Sequence, residues 1–227
     1  MFLCVSFSAL KGPFSARHIA VHVIFSILNF REKLNMVEGI VLKLVNQMET
    51  KNMIEKENRG YYEYVLVIMA ERAIAVGTML VISLIFRQLL PTAVFLVFFL
   101  SLRKRTGGYH ADKFWQCYLL TIITYIGVVQ AASMLSKNPQ IMYILLLLAV
   151  LIVEVIGTVN HPNMDLDKDE MREIKKAARL LVLIEAGIVA IFAVLKMNQL
   201  YVSYMSIAII LCSSLMCIAK IIKQEVR

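Results

Sequence analysis

Six stretches of this chain are apolar over most of a length that can cross a lipid bilayer, and nothing else in it constrains the fold as strongly. A span needs roughly 20 mostly apolar residues to traverse about 30 Å of hydrocarbon. In lipid the backbone must satisfy its own polar groups, so runs of this length become helices. The stretches lie at 62–86, 89–102, 114–135, 141–159, 177–195 and 200–221. Composition agrees: 59% of the 227 residues are hydrophobic, where a soluble domain has about 45–50%. Mean hydropathy is +0.72. The predicted fold class is all-α, a polytopic integral membrane protein with about six transmembrane helices. The second stretch is short and carries Pro91 near its start, so it is expected to be tilted, broken or only partly spanning.

An amphipathic segment precedes the spans. Val37, Ile40, Val41, Leu44, Val45 and Met48 recur at helical spacing, with Glu38, Lys43 and Asn46 on the opposite face. About a dozen residues cannot span, so the segment reads as an interfacial helix on the membrane surface, followed by a polar linker over 49–60. Residues 1–35 hold one moderately apolar run, 19–30, and no small-residue cleavage site. They are read as an extension without assigned function, and Met36 as an alternative start. The expected organisation is therefore an extension at 1–35, the interfacial helix and linker at 36–60, and a transmembrane domain at 61–227.

The net charge of +8 does not indicate nucleic acid, because the basic residues sit in short loops with no aromatic-basic surface to hold bases. They orient the chain instead. With the N-terminus inside, eight lysines and arginines precede the first span, and later inner segments hold four, five and three more. The outer loops hold Arg87, Lys137 and Lys196 alone. Twenty against three places both termini, and the loop at 103–113, in the cytoplasm of a cell whose membrane this chain spans.

That loop carries the chemistry. From Arg103 to Cys117 the sequence reads RKRTGGYHADKFWQC. Gly107 and Gly108 free the backbone for positive φ or close approach to a ligand. Asp112 is a good N-cap for a helix beginning at Lys113, and Cys117 then lies near the positive end of that helix. There the helix field and the cations Arg103, Lys104 and Arg105 favour thiolate, the nucleophilic form. His110 is seven residues away, about 10 Å along a continuous helix, whereas proton transfer needs about 3 Å or one water. The pair works if the glycines fold His110 back over the helix start. Phe114, Trp115 and Tyr118 would shield such a site from water. Cys212 and Cys217 fall in the last span and read as packing residues. No CxxC pair suggests zinc or a redox centre, and His161 with His110 and Cys117 makes a poor metal site, so no metal or cofactor is expected.

Four charges fall within spans: Glu71 and Arg72 near the middle of the first, Glu154 near the inner end of the fourth, and Glu185 inside the fifth. An unpaired charge at mid-membrane costs roughly 2.5–3.5 kcal/mol or more. They should face the bundle interior and pair, with Arg72 as the available cation. A sharper possibility is that Glu71 or Glu154 orients His110 as a third catalytic member.

The segment around His110 resembles the accessory gene regulator B (AgrB) family in Arg103, the paired Gly107–Gly108, His110–Ala111 and Cys117. The later run HPNMDLDKDEMREIKK, from His161 to Lys176, is similar to that family's second cytoplasmic loop. The resemblance extends from about Met36 to the end. It implies a membrane cysteine endopeptidase of Gram-positive bacteria that processes quorum-sensing propeptides. Cys117 would be the nucleophile and His110 the base, supported by Arg103, Gly107 and Gly108. It implies an AgrD-like propeptide whose acidic tail meets inner basic residues, for which Lys104, Arg105, Lys175 and Lys176 are the candidates. It also implies a homodimer, for which no small-residue face in the sequence argues. The rival class is a non-enzymatic peptide exporter or channel, whose polar path Glu71, Arg72, Glu154 and Glu185 could partly line.

Overall fold

The computed structural model describes residues 39–107, 114–159 and 168–222, with the backbone alone at Phe114, Trp115 and Lys168. The expectations for residues 1–35, Gly108, His110, Asp112 and His161 lie outside the described residues. Those described form helices and no strand. In chain order they are α1 over 39–50, then α2 (Arg59–Ile85), α3 (Leu89–Thr106), α4 (Phe114–Leu135), α5 (Pro139–Ile156), α6 (Lys168–Val194) and α7 (Gln199–Ile221). They divide into two compact units between Ala73 and Ile74, within α2.

In the first unit, α1 lays Val41 and Val45, with Ile54 beyond it, against Leu66, Val67 and Ala70 of α2. Arg59 and Glu49 close this hairpin with an ion pair of 2.9 Å. The amphipathic period read from the sequence is present, but α2 covers only part of its apolar face. Ile40 and Leu44 stay 58% and 45% exposed, which leaves apolar surface for lipid.

The second unit is a bundle around α7. Val202 to Ile209 are buried almost without interruption, and Cys212, Ser213, Met216 and Ala219 continue the core. A helix buried on all sides is the centre of its bundle. Its small residues let neighbours approach closely, and its serines turn inward on their own helix: Ser206 donates to the Val202 carbonyl at 2.8 Å and Ser213 to that of Ile210 at 2.8 Å. Phe95 of α3 anchors the contact, with its ring centroid 6.4 Å from that of Tyr204 and 6.5 Å from that of Tyr125 on α4. Thr92 and Tyr125 share a buried hydrogen bond of 2.7 Å.

Five helical stretches, spanning residues of α2, α4, α5, α6 and α7, are long and apolar enough to cross a membrane. The sixth expected span is α3, whose last turn carries Arg103, Lys104 and Arg105. It is unbroken, because Pro91 sits in the first turn, where a missing N–H breaks no helical bond. It also runs one turn beyond the apolar stretch, so the three cations ride on the helix. By contrast α5 ends at Ile156, three residues early, because Gly157 adopts positive φ and stops it. Helix α6 begins nine residues before its apolar stretch, on acidic first-turn residues Asp169 and Glu170 that suit a helix N-terminus.

Candidate active site

The end of α3 is shaped by its own last residues. Three cations in the last turn meet the negative end of the helix. Gly107 then takes φ +63° and ψ −146°, a backbone state open to glycine. Its N–H donates to the Arg103 carbonyl at 3.2 Å, and the Arg103 guanidinium donates to the Gly107 carbonyl. Arg103 therefore ties off the turn that leads toward His110. A methyl at Gly107 would stand 2.6 Å from the Val159 carbonyl oxygen. Gly107 thus takes the positive φ expected of it, but what approaches it closely is the Val159 backbone, where a ligand was expected.

Val159 belongs to the end of α5. Gly157, at φ +75°, closes that helix with its N–H on the Val153 carbonyl at 2.7 Å. Beyond it, the Thr158 hydroxyl donates to the Arg105 carbonyl at 2.7 Å and the Val159 N–H to the Thr106 carbonyl at 3.0 Å. The stem of Lys175 on α6 packs over Gly157, where a methyl would meet its Cγ at 2.9 Å. Thus the ends of α3 and α5 and the early part of α6 meet at one end of the bundle. Sequence reading missed Thr158 and Gly157 as site residues; a glycine closing an apolar run was the available signal.

Cys117 is the fourth residue of α4 as described, and it is exposed. Cys212 is buried, with its sulfur 3.6 Å from the Phe99 carbonyl oxygen, and Cys217 is half-buried. Next to Cys117, the Tyr118 hydroxyl donates to Thr78 at 3.1 Å, which fixes the rotation of this helix start.

Basic residues gather at the end where α3, α5 and α6 meet. Met171, Arg172, Lys175, Lys176 and Arg179 line an open depression of about 320 Å³ on the surface of α6. Lys175 and Lys176 were expected to meet an acidic tail; Arg172 and Arg179 join them through helical spacing. Lys176 also pairs with Glu173 at 2.9 Å. Of the other expected tail contacts, Lys104 is exposed, while Arg105 turns back along α3 to the Ser101 carbonyl at 3.3 Å.

The buried carboxyls are handled differently from the pairing anticipated. Glu185 is 4% exposed and takes a hydroxyl, Ser101, on Oε1 at 2.6 Å, where a cation was expected. Its Oε2, like Oε1 of Glu154, is buried without a hydrogen bond among the described residues. Glu71 is half-buried in the first unit. The imidazole that Glu71 or Glu154 would orient lies outside the described residues.

The family model for Accessory gene regulator B matches residues 37–219, a stretch that takes in every described site residue. No curated protein and no solved structure matches the chain. The chain belongs to the accessory gene regulator B family, membrane proteins involved in processing autoinducer propeptides.

Proposed function

We propose that the chain is a membrane-embedded cysteine endopeptidase that cleaves the C-terminal tail from an AgrD-like propeptide and closes the remainder into a thiolactone or lactone. One observation carries this reading beyond family membership. Of the cysteines described, the exposed one is Cys117, at the start of α4, the next helix in the chain after the α3 end that Arg103 and Gly107 shape.

The propeptide's amphipathic part rests on the membrane, and its acidic tail lies along the basic face of Arg172, Lys175, Lys176 and Arg179. By the positive-inside rule this end of the bundle faces the cytoplasm. The Cys117 sulfur attacks the carbonyl at the cut site while His110 takes the thiol proton. His110 then returns that proton to the leaving amine; the tail departs and the peptide remains as a thioester on Cys117. A cysteine of the peptide attacks this thioester, passes its proton to His110, and frees Cys117 as the ring closes. Thioester-to-thiol transfer exchanges like bonds and is nearly isoenergetic, which a serine nucleophile would not permit. Forming a thioester from an amide is uphill, so removal of the tail drives the sequence. A site at the membrane boundary limits water, which would otherwise hydrolyse the intermediate to a linear peptide.

Purified protein in liposomes, given a synthetic propeptide, tests this. Cys117→Ala and His110→Ala should abolish tail release, while Cys212→Ala and Cys217→Ala should cleave. Release by Cys117→Ala would refute the assignment. A peptide exporter, the alternative, would keep its flux in Cys117→Ser.

A further inference from the structure

Helix α6 carries a stripe that changes character at the membrane boundary. Steps of three and four residues join Arg172, Lys176, Arg179, Leu183, Gly187 and Ala190, so they share one face. Its first part is cationic and lines the open depression described above. The Nε of Arg179 is buried there with no hydrogen-bond partner among the described residues. Lys176 pairs with Glu173, but their side chains stay 63% and 66% exposed, and such a pair yields readily to a competing anion. The second part is apolar and open. Leu183 is 53% exposed, Ala190 is exposed, and a methyl built on Gly187 meets nothing within 4 Å. The apolar stretch of α6 begins at 177, so Arg179 stands where headgroups meet hydrocarbon. From Arg179 to Ala190 the helix rises about 16 Å, close to the depth of one leaflet.

A face of this kind fits an amphiphile with an anionic head. Guanidinium groups hold phosphate oxygens by paired, charge-assisted hydrogen bonds. Each cation at an anionic membrane surface contributes about fivefold in affinity. A soluble anion would use the cations and make no use of the open surface at Gly187. Neighbouring helices lack the combination. Helix α5 exposes Leu147, Leu151 and Val155 toward its inner end but has no cation in its last turn. Helix α3 has three cations, but Arg103 and Arg105 turn back onto the carbonyls of Gly107 and Ser101. We propose that this face of α6 binds one anionic phospholipid, its phosphate held by Arg172, Lys176 and Arg179 and an acyl chain lying along Leu183 and Gly187. The headgroup site overlaps the face assigned above to the propeptide tail, so lipid and tail compete for it. Lipid binding is measured without propeptide and does not depend on the reaction proposed for Cys117.

Native mass spectrometry of the full chain, released from micelles after incubation with dioleoyl phosphatidylglycerol or dioleoyl phosphatidylcholine, counts the lipid retained. Wild type should keep one phosphatidylglycerol and about tenfold less phosphatidylcholine. Arg172→Gln/Arg179→Gln should lower phosphatidylglycerol retention about tenfold or more, two phosphate contacts being lost. Lys104→Gln/Lys220→Gln removes the same charge from the last turns of α3 and α7 and should stay within about twofold, because more distant exposed charges are screened. Gly187→Phe, which fills the seat of the acyl chain, should lower retention about fourfold, the worth of one buried methylene. If Arg172→Gln/Arg179→Gln does not fold, Arg172→Gln/Lys176→Gln takes its place. Equal loss in Lys104→Gln/Lys220→Gln, or equal retention of the two lipids by wild type, overturns the site and leaves only an effect of net charge. Displacement of the lipid by millimolar glycerol phosphate would assign the cations to phosphate alone. Binding of an acidic peptide with no lipid retained would leave the face to the propeptide tail. Either result overturns the lipid proposal, and none of these results bears on whether Cys117 is acylated.

Discussion

Replacing Gly107 by alanine should loosen the junction of α3 and α5 far more than the same change elsewhere. Its backbone state, φ +63° with ψ −146°, costs a residue with a side chain of order 1–3 kcal/mol. The added methyl also meets the Val159 carbonyl oxygen at 2.6 Å, and that atom is backbone, without a rotamer to escape into. Relief requires Val159 to move, which breaks its N–H bond to Thr106 and costs about 1 kcal/mol more. Together these give about 2–4 kcal/mol, or roughly 30- to 700-fold in the population of the closed junction. Gly127 on α4 and Gly187 on α6 supply the contrast, because a methyl there meets nothing within 4 Å. Alanine at either should be neutral or stabilise by up to about 1 kcal/mol through helix propensity. Hydrogen exchange at the Val159 amide in detergent micelles reads the local effect, and denaturant unfolding reads the global one. If Gly107→Ala protects that amide as well as Gly127→Ala does, the close approach is not what makes this glycine necessary.

Ser101→Ala should destabilise the bundle by about 1–3 kcal/mol in unfolding experiments, because it removes the hydroxyl that donates to the buried Glu185 carboxyl. The double variant Ser101→Ala/Glu185→Leu should recover most of that loss, and a deeper loss in the double variant would contradict the account. Replacing Arg172 and Lys175 together by alanine should raise KM for a propeptide with an acidic tail several-fold at low salt, with the gap narrowing as salt screens the attraction. A gap independent of ionic strength would point away from charge. In native liposomes or micelles a polar maleimide should label Cys117 and spare Cys212, as mass spectrometry of the labelled peptides can report.

The helical spans and the position of Cys117 at an exposed helix start were legible because each rests on a local signal. An apolar run of span length has one solution in lipid, and a cysteine beside a cationic loop at a helix start differs chemically from Cys212 and Cys217 within an apolar run. The need for Gly107 could also be anticipated, though not its cause, since the carbonyl it makes room for is 52 residues on, at Val159. Long-range pairing hid the rest. Nothing near Thr158 announces that its hydroxyl caps α3, and nothing near Ser101 announces a partner 84 residues away. The basic face of Arg172, Lys175, Lys176 and Arg179 depends on α6 beginning at Lys168, nine residues before its apolar run, where the sequence showed an acidic-basic helix start only through the family resemblance. Element ends were misjudged for the same reason: apolarity marks what lipid surrounds, whereas caps and charges decide where a helix stops.

The proposed reaction requires Cys117 to become acylated. Wild-type protein in liposomes, mixed with a propeptide whose internal cysteine is replaced by alanine and quenched in acid, should carry the truncated peptide as a thioester. Intact mass and fragmentation should place the adduct on Cys117 and find none in Cys117→Ala. Tail release with the adduct on another residue, or with no adduct on any time scale that resolves cleavage, would contradict the mechanism.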